Sequence, residues 1–240
     1  MKELLITYVA IILSLSGCAG KQTLQTYEPN PINPKTVKHN YSYLALGDSY
    51  TIGEAVTTYG AFPYQLAAAL QNDTTTLQTP KIVARTGWTT DELISAIKVE
   101  TLNPSYDFVT LLIGVNNQYR GYDINTYRTE FKQLLQTAIN KAGGKSNRVF
   151  VLSIPDWGVT PYAKNSGRSA PKIAEEIDAY NAINKLETLN VNANYLDITP
   201  ISREAISNSS LIAQDGLHPS VAMYARWVEK LAPMVKAKLN

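Results

Sequence analysis

Two short stretches near opposite ends of the chain carry groups able to do covalent chemistry together. Tyr43-Leu44-Ala45-Leu46-Gly47-Asp48-Ser49-Tyr50 is a strand-like run that delivers a serine hydroxyl at its exit. Asp215-Gly216-Leu217-His218-Pro219 sets a carboxylate three residues before one of only two histidines. A serine hydroxyl is a poor nucleophile until a base takes its proton. Imidazole accepts and returns a proton near neutral pH. An aspartate three residues away can meet the ring within one turn and fix its tautomer. The chemistry would be attack on an electrophilic carbon by Ser49, with His218 as base and Asp215 as its orienting carboxylate.

Such a triad needs a scaffold that joins distant stretches of chain. From Tyr41 onward, apolar runs alternate with helical patterns. The runs 43–47, 81–85, 107–113, 148–153 and 194–197 predict strands, and 62–71, 89–98, 124–142, 171–189 and 219–238 predict helices. Phe108-Val109-Thr110-Leu111-Leu112-Ile113 and Val149-Phe150-Val151-Leu152 are nearly continuous apolar runs, the pattern of strands buried on both faces. Thr89-Thr90-Asp91-Glu92 predicts a capping box at the start of the second helix. Pro219 fits the first turn of the last helix, and Pro233 is expected to kink or break it. The alternation predicts an α/β fold, a three-layer α/β/α sandwich around a five-stranded parallel sheet. Active sites of open parallel sheets form beyond the carboxyl ends of the strands. Four segments fall at such ends or in the loop before the last helix: Gly47-Asp48-Ser49-Tyr50, Arg85-Thr86-Gly87-Trp88, Gly114-Val115-Asn116-Asn117 and Asp215-Gly216-Leu217-His218.

These four blocks, in this order from Gly47 to Pro219, resemble the GDSL-type or SGNH serine hydrolases, whose flavodoxin-like fold agrees with the predicted sheet. The resemblance implies that Ser49 is the nucleophile, His218 the base and Asp215 its partner. It further implies that the backbone N–H groups of Ser49 and Gly87 and the Asn116 amide form the oxyanion hole. The chain departs from the family pattern twice. Tyr50 stands where the family name has Leu. Asn117 stands where the third block, usually Gly-x-Asn-Asp, ends in Asp, which removes a charge close to the site. The implied activity is hydrolysis of carboxylic esters, namely short-chain acyl esters, thioesters or lysophospholipids. Deacetylation of a polysaccharide and acyl transfer to a sugar use the same residues, and a binding protein that retains the fold without catalysis is the reading from another class.

Each block also has a plainer reading. Ser49 can cap a helix, and Asp215 with His218 can pin a loop. Gly87 can be a turn glycine and Asn116 an Asx-turn residue. Asp48 reads as a structural acceptor for loop N–H groups. Tyr50, Trp88, Asn117, Tyr119 and Trp157 adjoin the blocks and are candidate pocket residues, with Ile52 and Tyr59 beside them. No metal-ligand spacing and no phosphate-binding glycine loop is present, so no cofactor is expected.

The remaining sequence bears on location. Lys2 precedes an apolar run from Leu4 to Leu13, then Leu15-Ser16-Gly17-Cys18, a pattern that resembles a bacterial lipoprotein signal. Residues 1–17 are then a signal peptide and Cys18, the only cysteine, a lipidated anchor to the membrane. An ordinary signal peptide or short anchor is the alternative. Residues 18–40, with Pro29, Pro31 and Pro34, predict a spacer ending at His39, and 41–240 the hydrolase domain. The expected location is the cell envelope, at the outer membrane where there is one. Net charge is +2 with no basic block, so nucleic acid is not expected as a partner. A monomer acting on a small-molecule, lipid or saccharide ester is the expectation.

Overall fold

The computed structural model describes residues 38–239. Five parallel strands form the main sheet: β2 (Tyr43–Gly47), β4 (Lys81–Ala84), β5 (Phe108–Leu112), β6 (Val149–Leu152) and β7 (Asn194–Leu196). Their order is β4-β2-β5-β6-β7. All residues of β2, β5 and β6 are buried, as continuous apolar runs require of strands covered on both faces. The edge strands β4 and β7 are only partly buried.

Between β2 and β4 the chain forms α1 (Ser49–Ile52) and α2 (Phe62–Leu70). The later crossovers carry α3 (Thr90–Val99), then α4 (Val115–Arg120) and α5 (Ile124–Lys141), then α6 (Pro161–Asn165) and α7 (Ala170–Asn190). After β7 come α8 (Thr199–Arg203) and the long α9 (Val221–Leu239). Parallel crossovers are right-handed. The first crossover runs toward β4 and the next three run the other way, so α2 lies on one face and α3, α5 and α7 on the other. Accordingly α2 packs on α9, and α5 packs on α3 and α7. The reversal falls between β2 and β5, where an open sheet leaves a crevice at its carboxyl edge.

Three local expectations are corrected. His39 does not end a spacer but belongs to β1 (His39–Tyr41), which pairs in parallel with β3 (Thr75–Leu77) in a small second sheet. Pro219 lies before α9 rather than in its first turn, because it bridges antiparallel to Ile212, and Ser220 Oγ accepts the Met223 N–H at the helix start. Pro233 does not break α9, which continues to Leu239. Its ring is on the exposed face, so the carbonyl it leaves free at Glu229 can meet water. Leu231, Val235 and Leu239 are buried on either side of it. Burying three such side chains, at about 1.5–3 kcal/mol each, outweighs the cost of an interior proline, about 3 kcal/mol. Among the described residues no helix is long and apolar enough to cross a membrane. The signal-peptide and spacer expectations, Cys18 included, fall on residues 1–37, outside those described.

Candidate active site

The strand-to-helix turn after β2 is tight. A Cβ on Gly47 would lie 2.1 Å from Thr51 Oγ1 and 2.4 Å from the Leu112 carbonyl, so only glycine lets the chain turn there. Asp48 caps α1, accepting the Tyr50 N–H at 3.0 Å. This matches the structural role read for it. It is fully buried, and burial pushes its carboxyl from 3.8 up to about 7 against the opposing N–H bonds from Tyr50, its own backbone and Gly114. Its second oxygen has no partner among the described residues. Ser49 is the first residue of α1, and its backbone N–H has no protein acceptor among them either.

The loop after β4 holds Gly87 at φ +86°, in the left-handed region. Three side chains of α4 clamp it. Asn116 Nδ2 donates to the Trp88 carbonyl at 2.9 Å, and Arg120 Nη2 donates to the Gly87 carbonyl at 2.7 Å. Asn117 exchanges two hydrogen bonds with Thr90, accepting its N–H at 3.1 Å and donating to its hydroxyl at 2.7 Å. An amide nitrogen has two hydrogens, so the bond to Trp88 leaves Asn116 one for a ligand. Glu92 accepts the Thr89 N–H at 2.8 Å, completing the capping box of α3.

On the far side, His218 Nδ1 lies 2.5 Å from Asp215 Oδ2. Asp215 Oδ1 accepts the N–H groups of Leu217 and His218, both at 3.0 Å. Burial pushes the Asp215 carboxyl up, but these bonds from His218 and from the backbone outweigh it and hold the group below its ordinary value. An ionised Asp215 fixes the proton on Nδ1 and leaves Nε2 as the acceptor. The Tyr50 ring meets the imidazole edge-on at 5.8 Å. Tyr162 N–H donates to the Gly216 carbonyl at 2.9 Å, tying the histidine loop to α6.

These pieces converge on one pocket of about 180 Å³. Ser49, Tyr50, Gly87, Asn116, Tyr119, Trp157 and His218 all line it, with Asp215 behind His218. The structure does not hydrogen-bond Ser49 to His218. Two expected pocket residues are elsewhere. Asn117 is fully buried and spends its amide on Thr90, and Trp88 contributes its carbonyl to Asn116 rather than its ring to the pocket. Ile52 and Tyr59 are exposed outside it. Thr86, Val115, Tyr162 and Leu217 also line the pocket and were not singled out in the sequence. Leu217 lay within a block already under suspicion. Tyr162 carried a weaker signal, an aromatic five residues after Trp157 in the same loop region.

The sequence matches the GDSL-like Lipase/Acylhydrolase family over residues 45–226. No curated protein sequence matches the chain. Among solved structures, TesA superposes with a TM-score of 0.62 at 16% identity, covering 82% of this chain and 99% of its own. The acetylxylan esterase Axe2 from Geobacillus stearothermophilus gives 0.59 at 18% identity, over 86% of this chain and 96% of its own. A lipase/acylhydrolase from Enterococcus faecalis gives 0.59 at 19% identity, over 82% and 96%. At these identities the likeness establishes the fold.

Proposed function

The chain belongs to the GDSL-like lipase/acylhydrolase family of ester-hydrolysing enzymes, and from that premise we propose that it removes short acyl groups from alcohols by a Ser49–His218–Asp215 mechanism. His218 Nε2 takes the Ser49 proton as Oγ attacks the ester carbonyl. Substrate binding must first complete the Ser49–His218 hydrogen bond. The oxyanion accepts from the N–H groups of Ser49 and Gly87 and from the free Asn116 N–H. His218 returns its proton to the departing alcohol, leaving Ser49 acylated. Water activated by His218 then releases the acid and restores the serine. Asp215 stabilises the imidazolium formed in each half-reaction.

The observation that supports this reading is the shared pocket, where Ser49, His218, Gly87 and Asn116 line one space of about 180 Å³. That volume is below the roughly 300 Å³ at which drug-sized ligand pockets begin. Acetyl to butyryl groups suit it better than lysophospholipid chains. Tyr119 and Tyr162 stand half-exposed at its mouth, with hydroxyls 3.0 Å apart. The exposed Tyr162 ring suits a sugar ring as the alcohol, in line with the acetylated-xylan activity in the name of the Geobacillus relative. The test is turnover of p-nitrophenyl acetate through octanoate and of acetylated xylooligosaccharide, with Ser49→Ala as control. Acetate turnover falling by several orders of magnitude in that variant supports the mechanism; undiminished turnover removes it.

Cys18 as a lipidated anchor in the cell envelope is part of the proposal. It rests on the apolar run and the Leu-Ser-Gly-Cys ending. Fractionation and mass measurement of the mature protein, against Cys18→Ser, decide it.

A further inference from the structure

The acyl pocket shares a wall with a second hollow. Tyr119 lines both the pocket of about 180 Å³ and a neighbouring space of about 460 Å³. Behind Tyr119, Gln118 lines the second space and accepts the Trp157 indole N–H at 2.8 Å, while Trp157 lines the first. The partition is therefore one aromatic side chain and one Trp–Gln pair.

A single ion pair holds both parts. Arg168 is on the turn between α6 and α7, outside the acyl pocket. Its guanidinium carbon lies 5.5 Å from the centre of the Trp157 ring and 6.0 Å from that of Tyr119. Nη1 donates to the Tyr119 carbonyl at 3.3 Å, and Nη2 pairs with Glu176 Oε2 at 2.6 Å. The same Glu176 oxygen accepts Gln118 Nε2 at 2.5 Å. A cation that lies over two rings while its fork reaches both a carbonyl and a carboxylate is a task for arginine, because lysine has no such fork.

We propose that Arg168, latched by Glu176, sets the acyl-length limit of this enzyme by holding the Tyr119–Trp157 wall between the two spaces. The inference rests on the ester-hydrolase reading of the pocket. Arg168 is a positioning residue: it acts through Tyr119, Gln118 and Trp157. Without it the two rings lose their cation–π partner and the Tyr119 backbone loses a donor. The acyl pocket then opens toward the larger hollow, and a longer chain enters where a short one stopped.

The test is the ratio of kcat/KM for p-nitrophenyl octanoate to that for the acetate. The alcohol is constant across the series, so the ratio reads the acyl side alone. Arg168→Ala is expected to raise the ratio on the order of tenfold, the lower end of what one methylene of fit decides in an apolar pocket. Arg168→Lys is expected to fall between, because it retains the charge without the fork that reaches both the Tyr119 carbonyl and Glu176. If Arg168→Ala is too unstable to assay, Glu176→Gln removes the other half of the latch and is expected to shift the ratio the same way. An unchanged ratio in a folded variant of either residue overturns the proposal. Undiminished activity of Ser49→Ala would instead overturn the reading of the pocket on which it rests.

Discussion

Replacing Asn117 with aspartate tests why this chain departs from its family pattern. The side chain is fully buried, and both ends of its amide are committed to Thr90. The Thr90 hydroxyl has one hydrogen, which it donates to Glu130. It can therefore meet residue 117 only as an acceptor, and a donor is required there. An amide supplies one and a carboxylate does not. In Asn117→Asp one oxygen still accepts the Thr90 N–H, but the other faces a hydroxyl with no hydrogen to spare. The lost bond is worth about 1 kcal/mol and the unsatisfied buried acceptor about 1–3 kcal/mol, so the variant should lose about 2–4 kcal/mol. With a urea slope of about 2 kcal/mol per molar, mid-range for a small domain, the unfolding midpoint drops by about 1–2 M at pH 7.5.

The loss carries a sign in pH. Burial raises the introduced carboxyl above its unfolded value. The penalty is then absent below the unfolded pKa and complete once pH exceeds the folded one. Once protonated, the introduced carboxyl also donates to Thr90 as the amide did. Urea titrations at pH 5 and 7.5 should show the gap to the native chain closing at the lower pH. Adding Glu130→Gln frees the Thr90 hydrogen to turn toward residue 117 and should recover part of the loss at pH 7.5. Equal stability of Asn117→Asp and the native chain at pH 7.5, or a loss independent of pH, would refute the account.

Two further outcomes follow from the same region. Asp48, raised from 3.8 to about 7, costs the folded state stability as pH climbs through that window. Asp48→Asn retains the Tyr50 cap, so its stability relative to the native chain should rise between pH 4 and 8, by ~4 kcal/mol at most, as followed by denaturant titration. Arg120→Ala releases the Gly87 carbonyl and, under the proposed mechanism in which Gly87 N–H acts on the oxyanion rather than on the bound ester, should lower kcat about tenfold with KM little changed; a KM effect alone would contradict that role.

Legibility differed between parts of the site for physical reasons. The central strands β2, β5 and β6 were readable because a fully buried strand must be a continuous apolar run, as 43–47 and 149–152 are. Asp215 and His218 were readable because three residues suffice for their contact. Trp88 and Asn117 could not be placed that way. Both adjoin site residues in sequence, but Trp88 lies in an irregular loop, and in α4 successive side chains are turned about a quarter-circle apart. Asn116 therefore faces the pocket while Asn117 faces Thr90. His39 and Pro219 were misplaced because their roles are pairings with Thr75 and Ile212, partners no local pattern announces.

Legible in the residues alone were the layered α/β class, the five strands of the main sheet and helices α2, α3, α5, α7 and α9 within a few residues, and the candidate reacting groups. Those follow from hydrophobic periodicity and from side-chain chemistry, both of which are local. Only the assembled fold sets the size of the pocket, the inward or outward choice at residues 116 and 117, and the meeting of Arg168 and Glu176 beside Tyr119 and Trp157. Each depends on segments from different crossovers meeting at one sheet edge. The distance between such segments is set by how the helices pack on the sheet, which no short window of residues contains.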